Sequence, residues 1–283
     1  DLLNEGHIDA ILRTAVAAGL EPVTAIQMAT INPARYFGFG HLGAVAPGRQ
    51  ADLVVFSDLN EPHIEAVYCR GVLTAEDGRV LPSIARPASP MLPGAMHLAT
   101  DHLDFAIPVE GAHIHVIEIV PGQILTGRSV QPVARDGDLA VADPERDLLK
   151  IAVLDRHSGS GRLAVGFVHG LGLRHGAVAS SVAHDSHNII VAGADDADMQ
   201  AAVAAVAETG GGLAVVAGGR FRARLPLPIA GLMSDQPLET VADRLDVLGK
   251  AARELGCRLP DPFMTLPSWP FPSFRSSRSA MVG

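Results

Sequence analysis

The spacing of apolar and polar positions in the first part of the chain predicts three consecutive helices. In residues 2–19, apolar side chains recur three or four positions apart, and Gly19 follows where a helix would end. Residues 21–29 predict a second helix, in which Pro22 occupies a favourable position in the first turn. Residues 30–37 predict a short third helix.

The pattern then changes to short apolar runs, which predict strands. A turn rich in glycine leads into a strand over residues 51–56, and residues 67–73 and 78–81 are interpreted as paired strands. Four prolines follow within residues 82–93, so we expect a linker or an extended crossing between domains there.

The region after this linker predicts a mixture of strands and helices. Alternating or continuous apolar runs predict strands at 112–119, 150–154, 163–168, 177–182 and 188–192. Helices are predicted over residues 195–208, opened by acidic side chains, and over residues 238–255, stopped by a glycine. Between them, residues 213–225 predict a hairpin that turns at Gly218 and Gly219.

Composition and charge exclude several classes of protein. The chain has 283 residues, 48% hydrophobic and 19% charged, and this balance argues against intrinsic disorder. Lys+Arg 22 against Asp+Glu 31 gives a net charge of −9, which argues against a basic nucleic-acid binder and a polybasic membrane binder. No apolar run reaches the roughly 18 residues that a membrane-spanning helix needs. Two distant cysteines exclude a disulfide framework and fit a cytoplasmic setting.

The densest polar segment lies between two predicted strands, in residues 180–191. It holds His184, Asp185, His187 and Asn188 together with neighbouring serines. A connection between strands places its side chains at the end of a sheet, where functional sites are commonly built. Histidine with a carboxylate can move protons or bind a divalent metal. The alternative is a polar loop whose side chains only cap one another, and the density of polar groups favours function.

A second segment, residues 225–235, brings Ser234 and Asp235 to the start of the last predicted helix. Capping of that helix would explain these two residues without any function, and it is the favoured interpretation for them alone. Substrate binding is the competing hypothesis.

A His-x-His pair, His113 and His115, starts a predicted strand. The period of two places both imidazoles on one face, as in many metal hydrolases. Because the pair lies beyond the linker and no partner ligands have obvious places around it, we expect a half-exposed strand face rather than a metal site.

Several segments carry a resemblance to known proteins. Two of them, ATINPAR at 29–35 and GAVAPGRQADLVV at 43–55, resemble the region where an amidohydrolase chain leaves its metal-dependent (β/α)8 barrel and rejoins a small β-sandwich. Later segments narrow the resemblance to the bacterial adenine deaminases and their C-terminal domain. These segments are DLLKIAV at 147–153, GFVHGLGL at 166–173, GAVASSVAHDSHNII at 176–190, LPLPIAGLMSD at 225–235 and DPFMTL at 261–266.

The resemblance implies a fold class and domain boundaries. We expect an α/β remnant of the amidohydrolase barrel in residues 1–40, and part of the β-sandwich with the linker in residues 41–93. An α+β adenine deaminase C-terminal domain is expected in residues 94–266. Residues 267–283 turn abruptly to serine, arginine and proline, which predicts an aberrant, disordered tail of the kind that a reading-frame slip produces.

The resemblance also implies an activity, namely metal-dependent hydrolytic deamination of adenine to hypoxanthine and ammonia in purine salvage. A divalent metal, manganese or iron, would activate the water. Its ligands would precede residue 1, so the chain would be a C-terminal portion with little activity of its own. The residues expected at the site are His184, Asp185, His187 and Asn188 in catalysis and Ser234 and Asp235 in substrate binding.

Partners and competing hypotheses follow from the same resemblance. It implies adenine as the small-molecule partner and a homo-oligomer for the full-length protein. Composition and charge argue against nucleic acid or a membrane as a partner. Another amidohydrolase would share residues 43–55 but lack the block around His184. A third hypothesis is a non-catalytic domain that folds and oligomerises. Without a barrel to cover them, apolar helix faces and sheet edges should be exposed.

Overall fold

The computed structural model describes residues 2–81, 96–98, 103–123, 125–184, 186–266 and 281–282. The chain divides into two compact units, Asp1–Ala88 (unit 1) and Ser89–Gly283 (unit 2), and each is described by itself. The predicted linker, residues 82–93, lies outside the described residues.

Unit 1 begins with three helices, as predicted. They are α1 (Ile8–Ala17), α2 (Pro22–Ala29) and α3 (Ile31–Tyr36). The carboxylate of Glu21 caps α2, because it accepts a hydrogen bond from the backbone N–H of Thr24 at 2.6 Å.

The first helix starts later than predicted. It begins at Ile8 and not at residue 2, because Gly6 adopts a φ of 109°, outside the helical region. The Asp9 carboxylate accepts a hydrogen bond from the backbone N–H of His7 at 2.8 Å and stabilises this start. Gly19 lies just after the last turn with a φ of 101°, which confirms it as the helix stop.

The rest of unit 1 is an antiparallel sheet. Its strands are β1 (Leu53–Phe56), β2 (Ile64–Cys69), β3 (Val72–Glu76) and β4 (Arg79–Val80), in that order. The prediction of one strand over residues 67–73 is wrong, because Arg70 and Gly71 form a turn with φ angles of 53° and 79°. Two left-handed residues suit a tight hairpin. Arginine is uncommon in that conformation, so the sequence does not signal this turn.

Few side chains are buried in unit 1. Helix α1 has no buried residue, and Ala25 and Ala34 are the buried residues of the other two helices. Large apolar side chains are exposed instead, with Ile11, Tyr36 and Phe37 at 61%, 84% and 66%. The expectation of exposed apolar helix faces is therefore confirmed for the described residues.

Unit 2 contains one large, mostly antiparallel sheet and a small two-stranded one. The small sheet pairs β7 (Arg135–Asp136) with β8 (Leu139–Ala140). The strands of the large sheet are β5 (His113–Ile119), β6 (Thr126–Pro132), β9 (Leu148–Leu154), β10 (Leu163–His169), β11 (Ala177–Ser180), β12 (Ile189–Gly193), β13 (Gly212–Ala217), β14 (Arg220–Pro226) and β15 (Met281–Val282). Its main path runs β14-β13-β11-β12-β9-β10-β5, and β5 also pairs with β6 and β15.

Helices pack on both faces of the large sheet. They include α4 (Asp196–Glu208) and α5 (Leu238–Glu254), and a short α6 (Pro262–Thr265) follows. Successive strand side chains point to opposite faces. In β9, Ile151 belongs to one buried core with Leu248 of α5, whereas Ala152 belongs to a second core with Met199 of α4. The sheet is thus covered on both sides, which confirms the predicted mixture of strands and helices.

Most predicted elements of unit 2 are confirmed with small changes at their ends. Gly218 and Gly219 form the predicted hairpin turn, with φ angles of 63° and 69°. Asp195 caps α4 by accepting a hydrogen bond from the Asp198 backbone N–H at 2.8 Å. Strand β6 was not predicted, because its sequence TGRSVQP is polar and lies on one edge of β5.

The predicted disordered tail covers residues 267–283, of which 267–280 and 283 lie outside the described residues. Met281–Val282 form a short strand opposite Ile114 and His113 of β5. These two residues depart from the predicted disorder.

Two expectations from composition concern membranes and cysteines. No helix among the described residues combines the length and the apolar character needed to cross a membrane. Cys69 is exposed and Cys257 is buried, and both are free thiols.

Candidate functional site

Three connecting segments of unit 2 meet at one end of the large sheet. The strand register brings them there: Leu154 at the end of β9 lies opposite Ile189 of β12, and Ser180 at the end of β11 lies opposite Leu213 of β13. The segments that leave from this end are 155–158, 181–188 and 227–235. Two of them are the polar segments that the sequence selects.

Arg156 joins these two segments from the interior. Its side chain is 1% exposed, its Nε donates a hydrogen bond to the carbonyl oxygen of His187, and its Nη2 donates to the carbonyl oxygen of Ala230 at 3.0 Å. Burial lowers the pKa of Arg156, but a guanidinium stays protonated in proteins. One buried cation therefore ties together two loops that are distant along the chain.

Both residues that Arg156 holds have a strained backbone. His187 has a φ of 46° and Ala230 a φ of 56°, a left-handed conformation that costs about 1–3 kcal/mol for a residue with a side chain. A hydrogen bond to a charged group contributes about 1.5–3 kcal/mol. Arg156 can therefore hold conformations that these segments would not adopt by themselves.

Ser181 provides a second buried tie between the loops. Its Oγ donates to the carbonyl oxygen of Gly231 at 2.6 Å and accepts from the backbone N–H of Gly212 at 2.7 Å. Gly231 also packs against Arg156, since a Cβ at position 231 would lie 2.6 Å from the arginine Nη1. A side chain at this position would displace the Arg156 guanidinium, and the φ of 74° at Gly231 also favours glycine.

Asp155 organises the segment that follows β9. Its carboxylate accepts hydrogen bonds from the hydroxyl of Ser158, from the hydroxyl of Ser160 at 2.8 Å and from the backbone N–H of His157 at 3.0 Å. The Ser158 hydrogen bond is the main cause that holds the pKa of Asp155 far below its ordinary value, and burial acts in the opposite direction. The ionised carboxylate thus fixes the turn that follows β9.

The four residues expected in catalysis have different environments. His184 is exposed, His187 is half-buried and Asn188 is 5% exposed, whereas Asp185 lies outside the described residues. Two buried atoms, His187 Nδ1 and Asn188 Oδ1, have no hydrogen-bond partner among the described residues. Buried polar atoms without partners are uncommon and often mark a place where a water, an ion or a catalytic partner belongs.

Ser234 and Asp235, expected to bind substrate, both contact Gln236. The Ser234 hydroxyl accepts a hydrogen bond from the backbone N–H of Gln236 at 3.1 Å, and the Asp235 carboxylate accepts one from the Gln236 side-chain amide at 2.9 Å. Neither residue caps helix α5. Helix α5 begins after Pro237 without a side-chain cap, so the capping interpretation is wrong.

The residues of the His-x-His pair lie on β5, where a strand was predicted. The Nη2 atom of Arg128 lies 2.9 Å from His115 Nδ1. Burial, together with the positive charge of Arg128, lowers the pKa of His115. Among the described residues no group of three or more His, Cys, Asp or Glu side chains could hold a metal ion.

Unit 1 has a cleft of its own, with a volume of about 680 Å³. Apolar side chains of the helices and of β1 and β2 form most of its wall, and His7, Asp9 and Asp52 contribute polar groups. The Asp9 carboxylate is paired with Arg13 at 2.8 Å. The cleft is therefore mainly an apolar surface.

Sequence reasoning missed the residues that hold the loops of unit 2, namely Arg156, Ser181 and His157. His157 Nε2 lies 2.9 Å from the carbonyl oxygen of Ser186. A signal was present, because the polar run DRHSGS at 155–160 directly follows an apolar strand. Its importance depends on pairing with distant loops, which no local pattern reports.

Comparison with protein families assigns both units. A model of the amidohydrolase family matches residues 2–75, most of the described part of unit 1. A model of the adenine deaminase C-terminal domain matches residues 123–277, more than half of the chain. The chain belongs to the family defined by this adenine deaminase C-terminal domain. The resemblance seen in the sequence and the predicted fold class are both confirmed.

Curated relatives named adenine deaminase match nearly the whole chain. The protein from Desulfatibacillum aliphaticivorans is 50% identical over 266 residues, which are 94% of this chain and 47% of the relative. A protein from Dehalococcoides mccartyi is 44% identical over 100% of this chain and 50% of its own length. One from Oleidesulfovibrio alaskensis is 48% identical over 94% of this chain and 46% of its own length. The chain spans about half the length of the curated relatives it matches.

Proposed function

We propose that this chain is the C-terminal part of an adenine deaminase, which hydrolyses adenine to hypoxanthine and ammonia. Membership of the adenine deaminase C-terminal domain family supports the proposal. So does the name carried by relatives that are 44–50% identical over at least 94% of the chain. An amidohydrolase of another specificity is less favoured, because the family match includes the block around His184.

The observation that carries a role for this chain is the pair of buried, unpartnered atoms His187 Nδ1 and Asn188 Oδ1. The edge of adenine presents an amine donor beside the N7 acceptor, and asparagine is suited to pair with both. We assign Asn188 to this edge and His187 to a ring nitrogen.

Two further groups complete the proposed site. We assign His184 and Asp185 to proton transfer, since a general acid or base must reach the ring nitrogen or the leaving amine. Ser234 and Asp235 are assigned to the rim of the purine site, on the segment that Arg156 ties to His187.

The amidohydrolase family implies a divalent metal, and we propose manganese or iron for the complete enzyme. The described residues do not fit a metal, because no three potential ligands converge among them. No step assigned to this chain therefore passes through a metal. Its residues bind the purine, orient it and transfer protons.

Calorimetric titration of the 283-residue chain with adenine tests the purine site. We expect binding that is lost in His187→Ala, while the matched control His175→Ala, an exposed histidine outside these loops, binds normally. The equivalent histidine in the full-length Desulfatibacillum relative can then be replaced. Unchanged adenine turnover in that variant would exclude an essential role for His187.

A non-catalytic domain for folding and oligomerisation is the competing function, and the missing ligand set among the described residues favours it. Metal analysis and an ammonia-release assay on the chain, with and without added manganese or iron, separate the two. Adenine binding by the chain supports the first function, and oligomerisation without adenine binding supports the second. We also propose a cytoplasmic location and a homo-oligomeric full-length enzyme.

A further inference from the structure

A second group of polar residues lies at the opposite end of β9 from Arg156. It lines a groove of about 470 Å³ that includes Arg146, His169, Arg174 and Arg258. The register brings it there, because Leu148 at the start of β9 lies opposite His169 at the end of β10. Strand β9 has 7 residues, and at about 3.3 Å per residue the two ends are about 20 Å apart. The groove is therefore separate from the proposed purine site.

Two of these arginines are held by a reciprocal pairing of chain segments. The backbone N–H of Arg174 donates to the carbonyl oxygen of Leu255 at 2.8 Å, and the backbone N–H of Arg258 donates to the carbonyl oxygen of Leu171 at 3.3 Å. The same short sequence pattern occurs twice, as LGLR at 171–174 and LGCR at 255–258. Each segment thus places one arginine at the groove in an equivalent position.

The glycines of the two segments allow this close approach. Gly172 has a φ of 85° and Gly256 a φ of 106°. A Cβ at Gly172 would lie 2.9 Å from the Gly256 carbonyl oxygen and 3.1 Å from Cγ of Arg258. A Cβ at Gly256 would lie 2.7 Å from the Gly172 carbonyl oxygen and 3.1 Å from Cγ of Arg174. Each arginine stem therefore rests against the glycine of the other segment.

Buried neighbours fix the positions of these arginines. Leu171 and Leu173 are 0% exposed, and Leu255 and Cys257 are 4% and 5% exposed. Arg174 and Arg258 themselves are exposed. A rigid backbone thus presents two cations to solvent at one groove.

The other charged side chains of the groove do not pair with these two cations. Arg146 is paired with Asp143 at 2.6 Å, and the Asp147 carboxylate accepts a hydrogen bond from the Gly172 backbone N–H at 2.6 Å. Among the described residues, neither Arg174 nor Arg258 makes a side-chain hydrogen bond or ion pair.

Two other groups contribute to the charge of the groove. Glu145 is exposed at its wall. His169 Nδ1 lies 2.6 Å from a carboxylate oxygen of Glu118, so the imidazole is already engaged. The groove therefore offers two guanidinium groups whose donors are unused among the described residues, beside the carboxylates of Glu145 and Asp147.

We propose that Arg174 and Arg258 bind the phosphate group of a phosphorylated small molecule in this groove. Guanidinium groups match phosphate oxygens in geometry and charge, and they form strong, often paired hydrogen bonds with them. A volume of about 470 Å³ lies within the range of small-molecule sites and leaves room for an organic group beside the phosphate. A nucleoside monophosphate has this combination of anionic and organic parts. Adenine is neutral, so the groove is not a second adenine site.

Calorimetric titration of the chain with adenosine monophosphate, inorganic phosphate and adenosine tests the proposal. We expect adenosine monophosphate to bind and adenosine not to bind. Arg174→Ala and Arg258→Ala should each weaken binding at least tenfold, and Arg174→Lys should restore part of it because the charge returns without the planar fork. Arg222→Ala, which removes an exposed arginine outside the groove, should bind like the parent.

Each result of the titrations either supports or overturns the proposed phosphate site. Equal binding of inorganic phosphate would support a phosphate site without selection for the organic part. Binding of adenosine as strong as that of its monophosphate, unchanged binding in the double variant Arg174→Ala/Arg258→Ala, or no binding of either phosphate by the parent chain would overturn the proposal. Circular dichroism of each variant separates loss of binding from loss of fold. The result does not depend on adenine deamination.

Discussion

The two ends of strand β9 use arginine in opposite ways. At the Leu154 end, Arg156 is 1% exposed and its guanidinium donates to two backbone carbonyl groups. At the Leu148 end, Arg174 and Arg258 are exposed, and their guanidinium groups make no hydrogen bond within the described residues. The same side chain is thus part of the internal structure at one end and faces solvent at the other.

This difference follows from the cost of burying charge. A buried cation is tolerated only when hydrogen bonds replace its hydration, so the donors of Arg156 are used within the protein. An exposed cation keeps its hydration, and its donors remain free for an anion. Backbone rigidity is common to both ends, but it is achieved by hydrogen bonds from Arg156 at one end and by close glycine packing at the other.

Replacing Arg156 should have the largest effect on stability. Arg156→Ala leaves the carbonyl groups of His187 and Ala230 without their donors and opens a cavity, so we expect a loss of about 3–5 kcal/mol in the free energy of unfolding. Urea denaturation followed by circular dichroism measures it. The exposed control Arg222→Ala should change stability by less than about 0.5 kcal/mol. Equal effects of the two substitutions would contradict the contrast between the ends.

Alanine at Gly256 should have the next largest effect. A Cβ there would lie 2.7 Å from the Gly172 carbonyl oxygen at a φ of 106°, so strain and overpacking together should cost about 2–4 kcal/mol. Gly218 is the matched control, because it has a φ of 63° and no atom of the described residues lies within 4 Å of its Cβ position. Gly218→Ala should cost only the strain of about 1–2 kcal/mol. If both variants melt alike, close packing at the arginine pair is not important.

Removal of the Asp155 charge should have an intermediate, pH-dependent effect. Asp155→Asn loses hydrogen bonds to an ionised group, for an expected cost of about 1–3 kcal/mol at pH 7. The folded-state pKa of Asp155 is far below its ordinary value of 3.8. Its contribution is therefore present above pH 4 and is lost as the pH falls below about 4 toward the folded-state pKa.

Denaturation curves from pH 7 to pH 3 test this dependence. The parent chain should lose stability more steeply below pH 4 than Asp155→Asn does. Parallel profiles of the two proteins would show that the Asp155 carboxylate does not contribute through its ionised form.

Asn188→Ala should have the smallest effect on stability. The Asn188 Oδ1 atom has no hydrogen-bond partner among the described residues. Its removal therefore breaks no hydrogen bond that this oxygen accepts from them. We expect a change below about 1 kcal/mol together with loss of adenine binding. A large loss of stability would instead assign Asn188 to the internal structure, as for Arg156.

Local signals predicted most elements of the fold. The acidic start of α4 at Asp195 and the turn at Gly218 and Gly219 were found because capping and left-handed glycine are properties of neighbouring residues. The turn at Arg70 was missed, since the pairing of β2 with β3 and a hydrogen bond from the Arg70 backbone N–H to the distant Asp52 carboxylate hold it in the left-handed region. The polar strand β6 was missed for a similar reason, because its partner β5 determines its conformation.

The candidate site was predicted only in part. The sequence singled out the loop with His187 and Asn188 by its density of polar residues, but the interpretation of Ser234 and Asp235 as helix caps was wrong. Arg156 was missed, because its role depends on two carbonyl groups from segments 31 and 74 positions away.

The sequence by itself determined the order of helices and strands, the family and the two polar loops, because these depend on local spacing and on segments that remain similar among relatives. The tertiary structure alone decided which arginine is enclosed and which are free. Burial and hydrogen-bond satisfaction are properties of the packed chain: they arise when strands from distant positions align in one sheet and bring the loops at its ends together.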